Sequence, residues 1–310
     1  MTWGRRPRVK ENNWRLEASE EDLREYDAFG PWIYEIKDEG DTPKRFRAAC
    51  GPHYGARFLL KAPRNVERRD ARPGMDLYVS VLAVHDHGAS LMNLNGEGVV
   101  TQDIVWSDVA ALESYRDLLY SRLTLKLCDG GAFALEYSTV SSDLMRKVTD
   151  FIRSQWVRHG EAPLLVEAEP VVTIADIAFQ NELDAKRRSG PQPVAPIHVE
   201  PANRYCRDGA NRRRLSTGVM FLEAPDELII VNRDEPTRRF LEARYAVSCV
   251  FVSYAGVTSF ALERPPVGRS RRFYELTLQV DKQVVRQSCL VAPERVLARL
   301  AAHGVRQTSA

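Results

Sequence analysis

The chain has 310 residues, of which 44% are hydrophobic and 28% charged, and its formal net charge is +2. That length suits two domains with separate cores, and the composition is that of a globular protein. The near-balance of 44 basic and 42 acidic residues leaves no global field that would demand nucleic acid or an anionic membrane. Among the bases, 36 are Arg. Arginine suits phosphate recognition, but with the acids in balance the Arg-rich usage of a GC-rich genome accounts for it.

The N-terminus is basic (Arg5, Arg6, Arg8, Lys10) without a following apolar h-region, so it does not read as a secretory signal. No stretch approaches the roughly 18 apolar residues of a membrane span. The cysteines are Cys50, Cys128, Cys206, Cys249 and Cys289, odd in number and without a CxxC spacing. A reducing, cytoplasmic compartment is expected, with no cofactor or metal implied.

In chain order, residues 1–55 form a polar and aromatic extension. Ser19 and Asp22 predict a capping box for a short helix through Tyr26, broken by Phe29-Gly30-Pro31. Strands are expected over 57–61, 77–84, 89–94, 99–106, 109–115, 122–128 and 133–137. Turns at Asp86-His87-Gly88, Asn95-Gly96 and Asp129-Gly130-Gly131 separate them. Leu123, Leu125 and Leu127 alternate with polar residues, the period of a half-buried strand. A helix from Ser142 carries Leu144, Met145, Val148, Ile152 and Trp156 on one stripe, with Ser141 or Ser142 as its cap and Gly160 as its stop.

Residues 161–203 read as a linker. Thr173 to Asp176 predicts a second capping box and a helix to Arg187. Gly190 to Pro196 then reads as an extended, polyproline-type spacer. Strands follow over 218–222, 228–232, 238–241, 245–253, 258–263, 273–280 and 284–288. A last helix has Pro293 at its first position and Val296, Leu297, Leu300 and Ala301 on its buried stripe. The same pattern, strands and then one amphipathic helix, therefore occurs twice. The units are placed at 56–160 and 204–310.

Such a pattern resembles the bacterial pleckstrin-homology-like domain in tandem copies. The local match is Ile104-Val105-Trp106-Ser107-Asp108-Val109-Ala110-Ala111-Leu112, similar to that family's edge strand, with Arg244 to Val250 a weaker counterpart. The resemblance implies a mainly β (α+β) fold of two barrels, each of about seven antiparallel strands closed by a C-terminal helix. It also implies a binding or scaffolding role. In that family a phosphoinositide site is a basic cluster around the first strand–turn–strand. Here the first such turn of the second unit reads as the acidic Ala224-Pro225-Asp226-Glu227, and Arg64, Arg68, Arg69 and Arg72 of the first are interleaved with Glu67 and Asp70.

Candidate chemistry is sparse. His85-Asp86-His87 offers two ligands where a metal needs three or four, and reads as a hairpin turn. Asn95-Gly96-Glu97-Gly98 lacks the helix and GK[ST] ending of a phosphate loop. No G-x-S-x-G elbow is present, and Asp143, Asp150 and Asp176 read as caps or solvated helix positions. Three basic clusters remain, and two of them supply the candidate binding residues. One is Arg204, Arg207, Arg212, Arg213 and Arg214, beside Tyr205 and with Asp208 as the single acid. The other is Arg238, Arg239, Arg269, Arg271 and Arg272.

The expectation is a non-enzymatic cytoplasmic scaffold that recognises a protein partner along a sheet edge or beside the barrel helix. One alternative is peripheral binding to anionic lipid or another phosphate-bearing partner through the Arg clusters. Another is an enzyme site assembled from distant residues near His53, His85 and His87.

Overall fold

The computed structural model describes residues 14–96, 98–156, 174–190, 192–200, 204–208, 211–216, 218–233, 246–264 and 274–308. The chain opens with α1 (Trp14–Glu17), α2 (Glu20–Ala28), β1 (Tyr34–Glu35) and α3 (Arg47–Cys50). Ser19 caps α2 as expected, accepting from the Asp22 N–H at 3.1 Å. Four strands follow, β2 (Phe58–Pro63), β3 (Tyr78–Val84), β4 (Gly88–Asn95) and β5 (Gly98–Val105), and with β1 they form a five-stranded antiparallel sheet in sequence order. A 3-10 turn over Trp106–Asp108 leads into β6 (Val109–Arg116), β7 (Tyr120–Leu127) and β8 (Ala132–Ser138), and then α4 (Ser142–Trp156). Gly130 supplies the turn conformation needed between β7 and β8, with φ 98°. Gly88 is required for a different reason, since a Cβ there would sit 2.1 Å from the Ile104 carbonyl oxygen.

The second half repeats this succession. After α5 (Ile177–Ser189) come β9 (Ala195–Glu200), a separate hairpin of β10 (Arg204–Asp208) and β11 (Asn211–Ser216), then β12 (Val219–Glu223), β13 (Glu227–Arg233) and β14 (Val247–Ser253). A 3-10 turn over Tyr254–Gly256 leads to β15 (Val257–Glu263), β16 (Tyr274–Val280), β17 (Gln283–Cys289), α6 (Glu294–Ala302) and the two-residue β18 (Arg306–Gln307). The likeness extends to single hydrogen bonds. The Trp106 N–H donates to the His87 carbonyl at 3.2 Å, and the Tyr254 N–H to the Asp226 carbonyl at 3.0 Å. Each reaches the turn between the second and third strands of its own half. The counterpart of Trp106-Ser107-Asp108 is thus Tyr254-Ala255-Gly256, not Arg244 to Val250.

The fold is mainly β, with antiparallel sheets and a few helices, but the sheets are open rather than closed into barrels. The outer edge of β6 is taken by β14, from Val247 opposite Arg116 to Phe251 opposite Leu112. This makes one seven-stranded sheet, β8-β7-β6-β14-β13-β12-β9, that runs through both halves. The four-stranded sheet β17-β16-β15-β18 completes the second half. Ala195 to Glu200, expected as spacer and linker, is an edge strand instead. Pro196 is tolerated because β9 pairs on one side only, at a register shift against β12.

Both leading sheets are buried on two faces. In β3, Leu82 and Val84 point into the core with Leu123, Leu125 and Ile152, whereas Val81 and Ala83 pack under Tyr26, Ile36 and Phe46 of the N-terminal segment. In β13, Leu228 and Ile230 join the second core with Leu276, Leu278 and Leu300. Its Ile229 and Val231 share the first core with α4 and with Phe179 and Leu183 of α5. Here α4 places Arg153, fully buried, against fully buried Glu227 of β13 (Nε to Oε2, 3.3 Å), with Asp150 at 2.8 Å and the Phe251 ring 4.3 Å away. Asp150 is therefore an ion-pair partner, not a solvated helix residue.

Candidate functional site

Of the candidate arginines, Arg204, Arg207, Arg212, Arg213 and Arg214 fall on the β10–β11 hairpin. The register sets Arg207 opposite Arg212, Cys206 opposite Arg213 and Tyr205 opposite Arg214. The ribbon pairs with no other strand among the described residues. It lies in the connection between the first and second strands of the second half, because β9 is the first strand there. The acidic Ala224 to Glu227 turn joins the second strand to the third, so the basic segment occupies the connection that sequence reading assigned to an acidic one. Arg238, Arg239, Arg269, Arg271 and Arg272 lie outside the described residues.

The cluster Arg64, Arg68, Arg69 and Arg72 is largely engaged in holding the fold. The Arg64 Nε donates to the Asp76 carbonyl at 2.9 Å. Arg68 donates to the Phe29 carbonyl at 3.0 Å and lies 3.9 Å over the Tyr26 ring. Arg69 pairs with Glu67 at 2.6 Å. Backbone carbonyls some forty residues upstream are partners that charge spacing cannot announce.

One open sheet edge is β5. It is eight residues long and, among the described residues, pairs only with β4, in unbroken register from Gly88–Val105 to Asn95–Gly98. Val100 is 54% exposed and Val105 50%. Edge strands are normally guarded by Lys, Pro or a bulge. β5 has none of these, and its single charge, Asp103, accepts from the Ser90 hydroxyl across the β4 pairing. Several other edges carry a guard. β9 has Pro196 and a bulge, β17 has Arg286, β8 has Glu136, and β15 is partly covered by β18.

His85 to His87 form the turn expected, with the His85 N–H donating to the Gly88 carbonyl at 2.8 Å. The fold brings His53 beside it, Nδ1 to Nε2 at 3.1 Å. Burial, with the neighbouring His85, holds His53 below the usual imidazole range against the opposing pull of Asp103. Among the described residues, no group of three or more His, Cys, Asp or Glu is placed to hold a metal ion.

Two clefts were not legible in the sequence. One lies under α2 and holds Glu25 and Lys61. Burial pushes the Glu25 carboxyl up and the Lys61 ammonium down, and Lys61 donates to the Asp41 carbonyl at 2.6 Å. The other lies between α4, α5, β6 and β14 and is lined by Arg116, Arg146, Glu182 and Lys186. No described helix is long and apolar enough to cross a membrane. Comparison with known proteins returns no matching family model and no matching curated relative.

Proposed function

We propose that this is a non-enzymatic cytoplasmic binding protein of two pleckstrin-homology-like units, which captures an extended segment of a partner protein on the open edge of β5. The observation that carries the reading is the unguarded edge itself: eight residues in regular register, rich in β-branched side chains, with Val100 and Val105 half exposed. An added strand would satisfy the backbone groups that β5 turns away from β4, and its side chains on opposite faces would meet Val100 on one face and Val105 on the other. The repeated order of four strands, 3-10 turn, three strands and helix supports the pleckstrin-homology-like assignment.

The test is affinity capture at about 0.15 M salt, where exposed charges are screened beyond roughly 8 Å, followed by titration of the purified partner. Lysines at both positions (V100K/V105K) guard the edge without touching the core. The expected result is a partner bound by the native chain and about tenfold or more weaker on the variant. A partner held equally by both defeats the reading.

A second reading is favoured by the hairpin. Five arginines with one acid on a separate ribbon suit a phosphate-bearing surface such as anionic lipid. Flotation on acidic vesicles that falls steeply with salt, and is lost in R212Q/R213Q/R214Q, would support it. No flotation removes it.

A further inference from the structure

We infer that the cleft between α4, α5 and the β6–β14 junction binds a compact dianion, a phosphate or a small dicarboxylate, held jointly by both halves of the molecule. The cleft is small, about 50 Å³, and opens to solvent. Three cations line it, Arg116 from β6, Arg146 from α4 and Lys186 from α5, against one carboxylate, Glu182.

That carboxylate is already committed. Glu182 is paired to Arg116, and its other oxygen is 3.7 Å from the Cys249 thiol. Lys186 has no carboxylate partner among the described residues; its ammonium lies 4.8 Å over the Phe251 ring. Among the described residues Arg146 pairs only with Asp143, whose side chain is 87% exposed, at 3.1 Å on the helix surface. Exposed pairs of that kind contribute little. Two cations are therefore left facing one cavity whose walls include Val247 and Thr149.

Nothing else in the cleft opposes an anion. Burial pushes the Cys249 thiol up to about 11, so it stays protonated. Burial likewise raises the Tyr137 phenol, leaving it a hydroxyl, and Ser114 also lines the cleft, whereas the Ser142 hydroxyl is committed to the Thr139 carbonyl at 2.6 Å. Flanking low-dielectric walls strengthen attraction for an anion and keep out a larger polyanion. Phosphate and dicarboxylate share the required chemistry, two anionic oxygens that can be divided between Arg146 and Lys186.

The experiment titrates inorganic phosphate and succinate separately into the full chain, at constant ionic strength set with chloride, read by calorimetry and thermal unfolding. Saturable binding of phosphate points to a phosphorylated ligand, and of succinate alone to a dicarboxylate. Lys186→Gln and Arg146→Gln should each weaken it about tenfold, while R212Q/R213Q/R214Q leaves it unchanged. Absence of saturable binding by both probes, binding indifferent to Lys186 and Arg146, or binding lost with the hairpin arginines overturns the assignment. A measurement on the native chain is independent of variant folding. The bound anion should slow acylation of Lys186 by an amine reagent and leave the exposed Lys282 unaffected; equal rates at Lys186 with and without anion also overturn it.

Discussion

The outward face of β4, with Met92, and the outward face of β13, with Ile229 and Val231, are equivalent positions in the repeated succession, and each is apolar. The first is covered by Tyr26, Phe29, Ile36 and Phe46 from the N-terminal segment. The second shares its core with α4 of the first half and with α5. Each half thus needs a covering layer that its own strands and helix do not provide. The first half draws that layer from the segment before it, and the second draws it from the first half itself. Duplication here leaves two units that are not interchangeable, because position in the chain decides what covers the sheet.

Removing the cover at either place is the largest way to break this comparison. Phe46→Ala and Phe179→Ala each empty a fully buried ring site and should cost about 3–5 kcal/mol in urea unfolding. Hydrogen exchange should distinguish them, with β2 to β4 loosening in the first and β12 to β14 in the second. Identical exchange patterns would mean that the two covers are not separate.

The Arg153–Glu227 pair tests the second cover alone. Glu227→Ala leaves the buried guanidinium with Asp150 alone and should cost about 3 kcal/mol, whereas R153M/E227M, which replaces both partners with apolar groups, should recover most of it. A double variant no better than the single would show that shape rather than charge holds α4 to β13.

A smaller effect is expected at the start of α5. Asp176 accepts from the Ala178 N–H at 2.9 Å and pairs with Arg233 at 2.7 Å. Asp176→Ala should cost about 1–2 kcal/mol, and a loss well below that would show that α5 is held by Phe179 and Leu183 alone.

Acid separates the halves most gently. His53 is held below its ordinary value of 6.5, so the unfolded chain takes up the proton first. Its contribution is complete above pH 6.5 and is lost as pH falls through the lowered folded value. Burial works to raise the Glu200 carboxyl, but hydrogen bonds from His198 and from the Leu290 and Val291 N–H groups (2.7 and 2.8 Å) outweigh it and leave it lowered from 4.5. That contribution is complete above pH 4.5 and disappears below it. Burial lowers His303 of the second half as well, so both halves should begin to lose exchange protection below pH 6.5, and the second should lose more below pH 4.5 through Glu200. His53→Asn, His303→Asn and Glu200→Gln should flatten the respective slopes, and a second half with no added loss below pH 4.5 would contradict this assignment.

Much of the layout was legible because its signals are local. The alternation of Leu123, Leu125 and Leu127 marked β7, and the stripe Met145, Val148, Ile152 and Trp156 marked α4. The unbroken run Leu228-Ile229-Ile230-Val231 is the pattern of a strand buried on two faces, but such a run does not name what covers it. Alternation fixes the face of a strand and says nothing about which edge it offers, so the β6–β14 pairing could not be read. Pro193 and Pro196 masked β9, and the arginines of β10 and β11 left no apolar period to detect. Arg153 escaped because one charged residue beside an apolar stripe looks the same whether it meets water or a carboxylate. The inter-helix cleft was equally hidden, since its lining comes from five separate elements.

The ladder between Arg116–Val247 and Leu112–Phe251 also has a mechanical meaning. Two domains on a tether sample many separations, and a ligand on one reports little about the other. A continuous sheet across the boundary behaves instead as a stiff beam. Pulling the halves apart must shear a row of backbone hydrogen bonds before any linker can extend. In single-molecule stretching, the first event should then be a rupture at the seam between β6 and β14, without a preceding soft extension.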